Sequence, residues 1–174
     1  QYFSATIGRI TRYTARASDG FTSVDLASRQ ILLGESPSNG PAILFESHGV
    51  GSLAFGTDGT LLASFGDGAS YNSTDVGSAS ETYYAQGLAD GIIKTKENVG
   101  AYRSQLVDSL AGKIVRIDPA TGDGIPSNPF YDPANPRSAR SRVWALGLRN
   151  PCRMTLRPGT GSHNRADGNP GVLY

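Results

Sequence analysis

The chain is short of cysteine, of long hydrophobic runs and of any excess of one charge, and each shortage removes a class of function. Its single cysteine, Cys152, excludes an internal disulfide framework and reads as a small packed residue rather than a nucleophile. No stretch approaches the roughly 18–20 consecutive apolar residues that cross a bilayer, and no signal peptide is visible. Sixteen Lys and Arg stand against fifteen Asp and Glu, a formal net charge of +1, so no bulk field draws the chain to nucleic acid or to a membrane surface. Zinc-spaced Cys/His clusters, glycine-rich phosphate loops and serine nucleophile elbows are missing, as are long helical periodicities. What the chain does have is glycine, at 22 residues, and proline, at 10. That is the profile of a β-rich, turn-rich protein, and 174 residues suffice for one domain with a sizeable core. The chain opens at Gln1 in mid-pattern, without Met, which reads as a processed protein or a piece of a longer one.

Strand patterns recur along the sequence. Gly8–Arg16 is Thr- and Tyr-rich with alternating character, and Ser23–Gly34 carries Val24, Leu26, Ile31, Leu32 and Leu33. Two apolar runs, 51–56 and 60–66, flank Asp58-Gly59, with apolar residues on both faces, which suits a sheet covered on both sides. Residues 68–106 are rich in Ser, Gly, Tyr and Asn, with a weak helical stretch near Glu81–Asp90, and read as a long excursion from the sheet. Strands resume at Ala111–Asp118, Arg142–Leu148 and Cys152–Arg157, and Gly171–Tyr174 resembles the start of another. Short strands, regular turns and two-sided burial predict a sandwich or a propeller, and a final strand cut off at its start favours a truncated propeller.

The hairpin at 51–66 carries the first chemical signal. Asp-Gly between apolar runs predicts a two-residue type I′ turn at Asp58-Gly59, which sets Asp67 opposite Val50 and makes His48 its diagonal neighbour. A carboxylate beside an imidazole fixes its tautomer and prepares it as a general base. Against this stands the plain reading of a His and a loop Asp that never meet. Arg149-Asn150-Pro151 ends a strand, because proline removes a donor and forces the preceding residue to be extended. Arg149 then projects a planar cation suited to carboxylate or quinone oxygens, unless it is an ordinary surface arginine. Asp118–Gly124 lacks the ligand spacing of a calcium loop and reads as a turn, Trp144 as core and His163 as a loop residue.

Taken together these pieces resemble the soluble quinoprotein sugar dehydrogenases, the glucose/sorbosone dehydrogenase family. The resemblance rests on His48 with Gly51–Leu61, Gly66-Asp67, Gln105 with Leu110–Asp118, Asn128-Pro129 and Val143–Pro151. It runs in consistent order over residues 5–174, and it looks most like versions found in secreted or surface proteins of bacteria. It implies an all-β fold, a six-bladed β-propeller of which residues 1–174 form about half, with 68–106 as an insertion. It implies oxidation of an aldose at its anomeric carbon by pyrroloquinoline quinone (PQQ) with calcium, His48 being the base, Asp67 its orienting carboxylate and Arg149 a quinone contact. Asn150 and Gln105 would be further cofactor contacts. No side chain here is a metal ligand, since most calcium ligands and other cofactor contacts of the family fall after Tyr174. The implied partners are the sugar and the rest of the propeller or other extracellular domains, and the implied location is extracellular, periplasmic or cell-surface. On this reading the chain alone does not turn over. A non-catalytic propeller that binds protein or carbohydrate, or serves as a structural module, is the alternative.

Overall fold

Residues 3–174 are described by a computed structural model; Gln1, where the sequence opens, and Tyr2 lie outside them. Antiparallel pairing organises everything else. β1 (Thr6–Ile7), β2 (Ile10–Ala15), β3 (Val24–Leu33) and β4 (Ala42–Ile43) form two small sheets, β1 pairing β4 and β2 pairing β3. β5 (Val50–Phe55), β6 (Leu61–Phe65), β7 (Lys113–Ile117) and β8 (Val143–Leu146) form a four-stranded meander in that order. The protein is therefore mostly strands with few helices, an all-β, propeller-like fold in which the meander has the form of one blade. No closed ring of blades is present among the described residues.

The blade is covered unequally. Every residue of β6 is buried, as expected of a continuous apolar run in a strand packed on both faces. Leu61, Ala63 and Phe65, together with Val115 and Ile117 of β7, pack on Ile10, Leu32 and Leu33 of the β2–β3 ribbon. The opposite face lies under residues 150–170, where the Ser64 hydroxyl donates to the Pro151 carbonyl at 2.7 Å. β5, at the edge, is not covered on both sides, and Leu53 and Phe55 stay exposed. Cys152 is exposed rather than packed, because the segment after Pro151 runs along the surface. Cys152–Arg157 and Gly171–Tyr174 form no extended strands but pair with each other around Leu156 and Leu173.

Residues 68–106 leave the sheet and pack back on the body of the molecule. Their helix α1 (Tyr84–Ala89) lies within the helical stretch expected from sequence. Tyr83, Tyr84 and Leu88 pack, with Ile92 and Ile93, on Ala5, Ala42 and Leu44 beside the β1–β4 pair. A second short helix, α2 (Ala139–Arg142), leads into β8.

The hairpin loop is three residues long, not two. Gly59 N–H donates to the Gly56 carbonyl at 2.9 Å and Gly56 N–H to the Thr60 carbonyl at 2.9 Å, so Thr57 and Asp58 are the turn and Gly59, at φ +72°, closes it. A type I′ turn would need the left-handed conformation at Asp58 as well. Asp58 avoids it and turns its carboxylate inward, accepting from the Thr60 N–H (3.0 Å) and hydroxyl (2.6 Å). The other oxygen meets the Arg116 guanidinium at 2.6 Å, and both side chains are fully buried. Arg116 also donates to Thr60, Ser127, Asn128 and the Arg165 carbonyl, and stacks 5.1 Å over the ring of half-buried Trp144. Burial alone would raise the Asp58 carboxyl, but the Thr60 and Arg116 hydrogen bonds and the arginine charge outweigh it and hold it below the usual carboxylate value.

A buried pair broken on one side leaves an uncompensated charge. Arg116→Met is therefore expected to cost about 3–5 kcal/mol, read from urea midpoints. Removing the partly exposed Arg165–Asp118 pair (2.7 Å) by Asp118→Asn should cost about 1 kcal/mol or less.

Candidate functional site

The β5–β6 ladder slips by one residue between Leu53 and Val50: Leu53 faces Ala63, but Val50 faces Phe65. At the slip, the Ser52 N–H leaves the ladder and donates to the Ser64 hydroxyl at 2.8 Å. The three-residue loop and this bulge shift the pairing by one residue each, and together they move Asp67 from its expected place opposite Val50 to a place opposite His48. The pairing continues beyond the strands, with Gly66 N–H donating to the Gly49 carbonyl (2.8 Å) and Gly68 N–H to the His48 carbonyl (3.1 Å). Bulges next to functional sites re-aim side chains in this way.

The result is a direct contact: His48 Nδ1 lies 2.8 Å from Asp67 Oδ1, with side-chain exposures of 7% and 1%. An ionised carboxylate has no proton to give, so Nδ1 carries the hydrogen and Nε2 keeps the free lone pair. His48 itself has φ +56°, in the left-handed region that a side-chain-bearing residue enters only under constraint. Gly66 supplies part of that constraint. A Cβ there would stand 2.4 Å from the His48 carbonyl oxygen, so only glycine lets the two chains close. The ring centroid of Tyr71 lies 6.3 Å from that of His48, and Phe45 packs edge-on to Tyr71 at 5.2 Å.

Three chain segments hold Asp67. Its Oδ1 also accepts from Ala69 N–H at 3.0 Å, its own N–H donates to the Arg149 carbonyl at 2.8 Å, and its carbonyl accepts from Arg103 Nε at 3.2 Å. Asp67 Oδ2 is buried without a hydrogen-bond partner among the described residues, and the Arg149 guanidinium stands 4.0 Å away. Arg149 is more than half exposed, so His48, Asp67 and Arg149 come together as one constellation with its cation on the open side. Asn150 is exposed beside it, and exposed Gln105 flanks Gly147 on the neighbouring connection, where Gly147 N–H donates to the Ser104 carbonyl at 2.9 Å.

Two buried cations lie beneath the site, neither of them a candidate site residue from the sequence. Arg103, at 1% exposure, sits in the 3-10 turn Gly100–Gln105. Lys113, fully buried at the start of β7, donates to the carbonyls of Arg103 (3.2 Å), Ser104 (2.8 Å) and Ala111 (2.7 Å). Those acceptors match the three protons of an ammonium. Burial nonetheless pushes Lys113 down from 10.5 to about 8, with the Glu97 charge opposing. The only sequence signal is position: Lys113 shares the core face of β7 with Val115 and Ile117, where a lysine is retained only with partners.

With this geometry in place, comparison with known proteins is decisive on one point. The family model described as glucose/sorbosone dehydrogenase matches residues 6–167. The chain belongs to that family. The family is one of sugar dehydrogenases, and His48, Asp67, Gln105, Arg149 and Asn150 all fall inside the matched span. No curated protein matches the chain.

Two outcomes follow for this glucose/sorbosone dehydrogenase domain. Gly66→Ala should force the His48 backbone away and lengthen the 2.8 Å contact, at a cost of about 1–3 kcal/mol, visible in denaturation and in the His48 imidazole NMR signals. Between pH 8 and 10.5 the unfolded chain binds a proton at Lys113 that the folded chain has released. Lys113 therefore makes stability rise with pH across that window, by at most about 1.4 kcal/mol per unit. Lys113→Met should lose that component of the slope in urea midpoints measured from pH 7.5 to 11.

Proposed function

We propose that this chain carries the proton-accepting side of a PQQ-dependent aldose dehydrogenase site, with His48 as base, Asp67 as its orienting carboxylate and Arg149 as a quinone contact. The observation that carries the reading is the buried 2.8 Å His48–Asp67 contact opened toward Arg149. Oxidising an aldose at C1 removes the anomeric hydroxyl proton and a hydride, turning the hemiacetal into a lactone. Nε2 of His48 is the lone pair available for that proton, and Asp67 stabilises the imidazolium that results. PQQ, when bound, accepts the hydride.

The residues present fit part of such a cofactor. Arg149, Asn150 and Gln105 form no side-chain hydrogen bonds among the described residues, and together they offer a planar cation and two amides to quinone and carboxylate oxygens. Arg149 also places positive charge where negative charge develops on the oxidant. The fit does not extend to calcium. Among the described residues no three His, Cys, Asp or Glu side chains gather to hold a metal ion, and calcium enters no step derived from this chain.

The same reading assigns the protein to the outside of a bacterial cell, which fractionation with a specific antibody checks. Among the described residues no helix is long and apolar enough to cross a membrane. The chemical test is dye reduction with aldoses, in the presence of PQQ and calcium, by the protein with the rest of its propeller in place. His48→Ala should lower kcat by about two to four orders of magnitude, the range for losing a general base. Aldose oxidation unchanged by His48→Ala would overturn the assignment, and absence of oxidation by the wild type would favour a binding module instead.

A further inference from the structure

Arg103 is one of several buried basic side chains, and it is bonded differently from the other two arginines. Arg116 meets Asp58, and Arg142 reaches Glu35 at 3.3 Å, whereas no carboxylate oxygen among the described residues lies within 4.0 Å of the Arg103 guanidinium. Its Nε donates to the Asp67 carbonyl at 3.2 Å and its Nη1 to the Glu97 carbonyl at 3.3 Å, while buried Nη2 has no partner. Burial lowers the guanidinium from the usual arginine value, and the nearby charges of Asp75, Asp67 and Glu97 work against that. A dry cation spent on main-chain oxygens is expensive, and an apolar side chain would fill the space at less cost. The choice of carbonyl is informative, because the peptide it grips belongs to the carboxylate residue of the dyad.

We infer that Arg103 is a positioning residue for the proposed base: from the 68–106 excursion it clamps the main chain of Asp67 so that Oδ1 stays on His48 Nδ1. The inference rests on the proposed function of the dyad. Asp67 is gripped from both sides, its N–H by the Arg149 carbonyl and its carbonyl by Arg103. Arg103 is in turn anchored from the blade, since Lys113 Nζ donates to its carbonyl at 3.2 Å. The charged groups facing it are Asp67, Asp75, Glu97 and Lys113. The excursion is thereby part of the machinery, because it supplies the back of the site.

Histidine-selective NMR tests this without cofactor. The chain has two histidines, and His163 is exposed, so its ring protons exchange with water and the sheltered Nδ1–H signal belongs to His48. The wild type should show that downfield proton. Arg103→Met should lose it. Arg103→Lys keeps the charge but replaces the separate Nε and Nη1 donors with a single nitrogen, and should broaden the signal and lower kcat by roughly ten- to a hundredfold with KM little changed, the range expected for a slightly misplaced group. Arg142→Met, an equally buried arginine elsewhere, should lower stability and leave the signal intact. An unchanged His48 signal in Arg103→Lys, or its equal loss in Arg142→Met, overturns the inference, and the lysine variant decides alone if Arg103→Met does not fold. If the wild type oxidises no aldose while the NMR pattern holds, the proposed function fails and the positioning role stands.

Discussion

One slipped residue in the β5–β6 ladder organises the candidate site. With the pairing of Leu53 and Ala63 continued unbroken, Asp67 would not lie opposite His48. The slip costs a ladder hydrogen bond at Ser52, and Ser64 replaces it with its hydroxyl while donating to Pro151. Ser64 thereby ties the bulge to the strand-ending Arg149-Asn150-Pro151 segment. Gly51 and Gly66 make room, since a Cβ at either would strike a main-chain oxygen, of Pro151 or of His48. The site is thus set by backbone geometry first and by side-chain chemistry second, as the left-handed conformation of His48 also indicates.

Buried charge is the second organising feature. β7 sends Lys113 to the core face and Arg116 to the other, and each crosses into a different part of the chain. Arg116 binds the hairpin turn to the Arg165 loop; Lys113 binds the blade to the excursion carrying Arg103. Such groups add little net stability over apolar packing, but each misfit leaves a costly unpaired charge. They therefore select one way of stacking loops on the blade. The dyad sits where two of these connections meet.

How much of this is legible in the sequence depends on distance along the chain. The apolar runs of β6 and β7, the helix near Tyr84 and the proximity of His48 to Asp67 follow from local patterning, because turn chemistry and alternation act over a few residues. The turn type did not follow, because Asp58 answers to Arg116, 58 residues away. The same holds for Cys152, whose exposure depends on the path of a loop, and for the excursion, whose return is driven by packing on Ala42 and Leu44. Arg103 stands two positions from Gln105 without a sequence signal of its own, since nothing local tells a buried clamp from a surface arginine. The bulge was equally silent, for its cause is a serine on the partner strand.

The central proposal is that His48, oriented by Asp67, takes the anomeric hydroxyl proton of an aldose while Arg149 contacts the quinone. The most direct measurement is the primary isotope effect on quinone reduction by an aldose deuterated at C1, compared in solvents of H2O and D2O. The account predicts that substrate deuteration slows reduction and that D2O slows it further in the wild type, but not when His48 is replaced by alanine. Quinone reduction insensitive to deuterium at C1 would contradict it.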